Sequence, residues 1–241
     1  MPCKKQVRGF TLVELLTVVA VIALLGAITL AALSSVRVRA NQAVCSSNMR
    51  QLGTAILLYA NEHAGAFPGS NHGTTEGGMD GTDNEVSWTG TLRPYVGEDW
   101  RIAISPADPL ADERLEADAS SYAMSDVMTT VQRDRRGNVI QTPPKLQNLV
   151  RPSDTAVLFP IAEEKGISAS NDHIHSAEWT TWGAVISDIQ PNLHRGSSSN
   201  ANKTNGTANY LFADGHVESI PAADLKAMIE AGENFSMPQR Y

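Results

Sequence analysis

From Leu15 to Val36 no residue carries a charge, and most of the twenty-two positions are apolar. A helix of that length rises about 33 Å, enough to cross a hydrocarbon core about 30 Å thick, so the run predicts a membrane span. Glu14 heads it and Arg37 follows it. Beyond the span, Cys45, Met49, Leu52, Ile56 and Tyr59 recur at spacings of four, three, four and three, an apolar stripe on one helix face. Gln42, Arg50, Asn61 and Glu62 lie off the stripe. The pattern predicts a single helix from about Phe10 to His63, roughly 80 Å long, with its first half in lipid and its second packed on a domain. "HAGAFPG" stops it, with Gly65 as the capping candidate and Pro68 soon after.

The polar stretch 69–84, "GSNHGTTEGGMDGTDN", reads as a loop. Its oxygen-rich end, "DGTDNE" at 80–85, suits a hard cation by composition, but the spacing matches no EF-hand loop and a solvated turn is expected. Strand patterns follow at 120–128, 131–141, 155–162 and 180–189, rich in β-branched and aromatic residues and bounded by Gly, Pro, Asp or Asn. "DRRGN" inside 131–141 reads as a hairpin turn. In "NYLFADGHVESI", 209–220, two alternating runs flank Asp214-Gly215, a tight antiparallel turn. Residues 221–235 read as a short terminal helix. The expected fold class is α+β: one long N-terminal helix packed on an antiparallel sheet.

Charge and cysteine content refine this picture. A secretory signal peptide would have a shorter apolar stretch, and "AALSS" at 31–35 is a faint cleavage site. A plain anchor would explain the length and the basic Lys4, Lys5 and Arg8, but not Glu14, which costs about 2.5–3.5 kcal/mol if drawn to the bilayer centre. Loss of residues 1–9 would leave 16 basic against 26 acidic residues, a net charge near −10. So acidic a surface argues against a nucleic-acid partner. Cys45 would then be the lone cysteine, expected as a small apolar residue on the helix face, with intermolecular pairing as the alternative.

"KKQVRGFTLVELL" resembles the leader and first helix of type IV pilins and type II secretion pseudopilins. That resemblance implies a leader peptide at 1–9, cleavage between Gly9 and Phe10 by a prepilin peptidase, N-methylation of Phe10, and an assembly role for Glu14, the acidic fifth residue of the mature chain. It implies a transmembrane and amphipathic helix at 10–63, then a periplasmic or extracellular sheet domain at 64–241. The implied partners are the peptidase/methyltransferase, other pilin or pseudopilin subunits, an inner-membrane assembly platform and membrane lipid. The expected location is the inner membrane, single pass, with the N-terminus cytoplasmic and the domain periplasmic, and a filament after assembly.

A second resemblance runs through "CSSNMRQLGTA", "SYAM", "PSDTAVLF" and "NYLFADGHVE". These are similar to a group of pilin-like proteins abundant in planctomycete and verrucomicrobial lineages. That group often has a His a short distance before the Asp-Gly turn. Here His194 precedes Asp214 by twenty residues, as if a loop were inserted. The group also often carries "CPS" where this chain has "ISPADP", 104–109.

His173 and His175 would share a strand face and His194 and His216 flank the hairpin, so a histidine cluster is geometrically possible. No HExxH, CxxC or nucleophile-elbow pattern accompanies them, and neither an enzyme nor a cofactor or metal site is expected. Trp88, Trp100, Trp179 and Trp182 are expected in core and loop packing and not in a shared concave site. Two roles fit the same leader: a filament subunit, or a membrane-tethered binding module that is processed but never polymerises.

Overall fold

The computed structural model describes residues 10–70, 87–97, 99–133, 136, 138–168, 171–195 and 200–238, with the side chains at 30–32, 132, 133, 140 and 141 left aside. In chain order the elements are α1 (Leu12–Glu62), α2 (Trp88–Val96), α3 (Ala111–Glu116), β1 (Tyr122–Ser125), α4 (Asp126–Thr129), β2 (Gln132–Arg133) and β3 (Val139–Gln141). Then follow β4 (Ala156–Pro160), β5 (His173–Ile174), α5 (Trp182–Asp188), β6 (Thr207–Phe212), β7 (Val217–Pro221) and α6 (Ala222–Glu230). The chain divides into two compact units, Met1–Arg37 and Val38–Tyr241.

In the first unit, helix α1 buries almost nothing. Leu12 is 81% exposed, Ile22 63% and Val36 59%, so these side chains have no protein core to enter. Helix α1 is long and apolar enough in this stretch to cross a membrane.

In the second unit, the sheet runs β5-β1-β4-β6-β7 and is buried on both faces. The part of α1 beyond Val38 covers one face. Cys45, Met49, Leu52 and Ile56 pack there with Tyr122 and Met124 of β1, Val157 and Leu158 of β4, and Leu211 of β6. Ala123, Ala156, Phe159, Ala208, Tyr210 and Phe212 point to the other face, with Val185 of α5 and Leu225 and Ile229 of α6. Alternation is regular along β6: Asn209 and Leu211 face α1, and Asn209 donates its side-chain amide to the Gln42 carbonyl at 2.9 Å. On β4 a register shift between Ala156 and Leu158 turns two successive residues, Val157 and Leu158, toward the helix. A Cβ on Gly53 would stand 2.7 Å from Leu211 Cδ1, so glycine lets α1 lie close to the sheet.

The long helix, the 209–220 hairpin and the terminal helix stand close to where the patterns put them, and β2 pairs with β3 inside 131–141, while most of the expected "DRRGN" turn lies outside the described residues. Gly65 ends α1 with φ +84° and donates its N–H to the Ala60 carbonyl at 2.7 Å. Two expectations need correction. Residues 180–189 are not a strand: Trp182–Asp188 is helix α5, with the Thr181 hydroxyl accepting the Ala184 N–H at 3.3 Å. Trp182 and Val185, three apart, and Ile189, four further on, are the buried apolar positions, a helical period that outweighs the strand preference of β-branched residues. The five-stranded sheet is also mixed, not wholly antiparallel, because β5 pairs with β1 in parallel (Met124↔His173). The segment 161–172 carries the chain from β4 past β1, which a tight hairpin cannot do. Between α1 and the terminal helix, α2 to α5 are short helices.

Candidate functional site

The N-terminus of α1 is built by two residues. Thr11 donates its backbone N–H (2.9 Å) and its hydroxyl (2.8 Å) to Glu14 Oε2, and the Glu14 N–H donates back to the Thr11 hydroxyl at 3.2 Å. This is the reciprocal arrangement of a capping box, which satisfies helix-end donors that have no intrahelical partner. The carboxylate also faces the positive end of the helix dipole. "Thr11-Leu12-Val13-Glu14" carries the pattern in sequence, so the capping role of Glu14 was readable there but was not drawn from it. Among the described residues, Oε1 of Glu14 takes no hydrogen bond. Phe10, just before the cap, is 78% exposed. Gly9 and the basic residues Lys4, Lys5 and Arg8 lie outside the described residues.

In the second unit the candidate residues separate. His173 and His175 meet edge to face at 5.1 Å between ring centroids, and His173 Nδ1 is 2.9 Å from Asp172 Oδ1. Asp172 also accepts the Ser87 hydroxyl at 2.7 Å. Burial pushes the Asp126 carboxyl up from its ordinary value, opposed by the nearby His175 and His173. Among the described residues no three His, Cys, Asp or Glu are placed to share a metal ion. The cation candidate at 80–85 lies outside the described residues.

His194 sits elsewhere, extending the sheet by a bridge to Thr207. It is 4% exposed, both ring nitrogens are without a hydrogen-bond partner among the described residues, and burial lowers its pKa from 6.5 to about 4. His216 lies on the surface, stacked on Phe212 at 4.4 Å and held by Asp214, whose Oδ1 is 2.6 Å from its Nδ1 and accepts its N–H at 3.1 Å. Gly215, at φ +90°, completes the turn with its N–H on the Phe212 carbonyl at 2.9 Å.

The four tryptophans are all buried and fall into separate clusters: Trp88 and Trp100 with α1, Trp179 and Trp182 on the other face. They form no common concave site. Cys45 is fully buried, 3.2 Å from the Tyr122 hydroxyl, and burial pushes its thiol pKa up. It is therefore the small core residue expected, with no exposure for intermolecular pairing. Arg114 and Asp108 form a buried ion pair at 2.8 Å, which the charge pattern of "DPLADERLE" did not indicate.

Comparison with known families gives two matches. Residues 4–30 match the prokaryotic N-terminal methylation motif, and residues 34–101 match a family described as a protein of unknown function, DUF1559. No curated protein and no solved structure matches the chain. The first match takes in the basic start, Gly9, Phe10, the Thr11–Glu14 cap and most of the apolar run, and supports pilin-like processing. The second begins as the apolar run ends and covers the buried stripe of α1. The methylation motif leads directly into a helix long and apolar enough to span a membrane, and together these findings support the resemblance to type IV pilins and pseudopilins.

Proposed function

We propose that this chain is a structural subunit, and not an enzyme, of a type IV pilus-like or type II secretion pseudopilus filament. A prepilin peptidase cuts between Gly9 and Phe10 and methylates the new amine. An assembly platform in the inner membrane then draws the subunit out of the lipid. Helices from 10–63 bundle in the fibre core, and the sheet domain, first periplasmic, forms the fibre surface.

The observation that carries this reading is the state of Glu14, a carboxylate at the head of an uncharged run with one oxygen satisfied by Thr11. At the lipid boundary the other oxygen meets water and headgroups. Within a helix bundle that water is lost, and a buried charge without a partner costs several kcal/mol. The methylated amine of Phe10 on a neighbouring subunit supplies the partner and sets the axial stagger between helices.

The capping box means that Glu14 variants must separate two roles. Gln retains an acceptor for the Thr11 donors but has no charge, whereas Leu loses both. Glu14→Gln and Glu14→Leu should both leave insertion and cleavage intact and both reduce filament yield, measured in the fraction sheared from cells. Wild-type yield from Glu14→Gln, with only Glu14→Leu impaired, would assign Glu14 to capping alone. A processed chain found in no fibre would point to the tethered binding module.

A further inference from the structure

Lys203, in the turn before β6, is a lysine with little access to water. It is 9% exposed, and its Nζ donates to three oxygens: Glu164 Oε2 at 2.7 Å, Gln190 Oε1 at 2.9 Å and the Ile186 carbonyl at 3.1 Å. Gln190 is 4% exposed, and its Nε2 donates to Asn192 Oδ1 at 2.8 Å, so both ends of the side-chain amide are held. Glu164 reaches in from the surface, with its side chain 63% exposed.

The backbone is bent to bring these groups together. Lys203 has φ +48°, a left-handed conformation that a residue with a Cβ keeps only where its surroundings hold it. Its N–H donates to the Asn200 carbonyl at 3.0 Å, and Trp182 Nε1 of α5 donates to the adjacent Asn202 carbonyl at 2.7 Å. The turn is thus pinned to α5, and the amine is aimed at the amide. A surface ion pair with Glu164 needs neither the strained backbone nor the burial. An amine, an acyl carbon and a carboxylate that can carry a proton between them are the parts of an acyl transfer, and a fixed geometry is what makes such a reaction effectively unimolecular.

We propose that Lys203 and Gln190 join in an internal isopeptide cross-link, with Glu164 as the proton carrier. Glu164 takes a proton from the Lys203 ammonium, and the freed electron pair on Nζ attacks Gln190 Cδ, forming the Nζ–Cδ bond. The tetrahedral centre collapses as the Cδ–Nε2 bond breaks. Nζ gives up two protons in all, both passed through Glu164 to Nε2, which leaves as ammonium. No oxidant, reductant or further reactant enters. Burial of Gln190 keeps water, the competing nucleophile, from the same carbon. The product closes residues 190–203 into a covalent ring between α5 and β6, and it stands independently of the filament reading.

The test is mass spectrometry of the full chain, extracted from its native membrane and digested with trypsin, which cuts an unreacted chain after Lys165, Arg195, Lys203 and Lys226. The cross-link should leave residues 166–195 and 196–226 as one branched peptide, uncut at Lys203. It should weigh about 17 Da, one ammonia, less than the two linear peptides together. Lys203→Arg keeps the cation and its donors but has no nucleophilic amine, and should give linear peptides only. Glu164→Gln changes an exposed side chain, and should reduce the branched fraction roughly tenfold or more with the Tm near that of wild type. Linear peptides alone from the wild-type chain would overturn the proposal. So would the same mass loss on a linear peptide, which is asparagine cyclisation, or a branched peptide that persists in Lys203→Arg. An undiminished branched fraction in Glu164→Gln would overturn Glu164 as the proton carrier.

Discussion

At the scale of single residues, His194 has a consequence that can be measured. Its ring is buried with no hydrogen-bond partner among the described residues, so the folded protein holds it neutral down to about pH 4, while in the unfolded chain it takes a proton near 6.5. Between those values the unfolded state binds more protons. The stabilisation is thus fully present above about pH 6.5 and is lost as pH falls toward 4, in total roughly 3 kcal/mol. Replacing the imidazole by an aromatic that cannot titrate removes that dependence. Thermal melts of the detergent-solubilised chain should lose stability less steeply below pH 6.5 in His194→Phe than in wild type. Equal slopes would show that the proton enters His194 without disturbing the fold.

At the scale of elements, the β6–β7 hairpin is the part most closely tied to its sequence. Gly215 sits at φ +90°, and a Cβ there would also stand 2.9 Å from Leu57 Cδ1 on α1. Gly215→Val should therefore cost about 2–4 kcal/mol through backbone strain and crowding together. Asp214→Asn keeps the acceptor for the His216 N–H and weakens only the bond to its exposed ring, a loss under about 1 kcal/mol. Calorimetry should show a lowered Tm for the first variant and near wild-type melting for the second. An unchanged Tm for Gly215→Val would mean that the turn relaxes without cost. This hairpin, like α1, was legible because local chemistry and burial pattern agree: Asp-Gly favours the turn, and the Cys45-to-Tyr59 stripe meets the sheet as one face. Helix α5 was not legible, because Trp182, Val185 and Ile189 favour strands locally and only the packing of that face against Phe159 and Tyr210 makes the helical period decisive. Strand β5 is two residues long and exists only because β1 lies beside it. The Thr11–Glu14 cap was written in the sequence but masked by the charge question that Glu14 poses.

At the scale of the whole molecule, the two units present different surfaces. The described residues of the first unit, from Phe10 on, expose apolar side chains that suit lipid or the inside of a helix bundle, and those of the second bury their apolar residues on both faces of one sheet. The proposed role of Glu14 depends on N-terminal processing, because in this reading the Phe10 amine exists only once residues 1–9 are removed. The most direct measurement is therefore the mass of the N-terminal peptide recovered from fibres sheared off cells that express the chain. The account predicts a peptide beginning at Phe10 and carrying one added methyl group. A chain absent from the fibres, retaining residues 1–9, or beginning after Ser34 would contradict it.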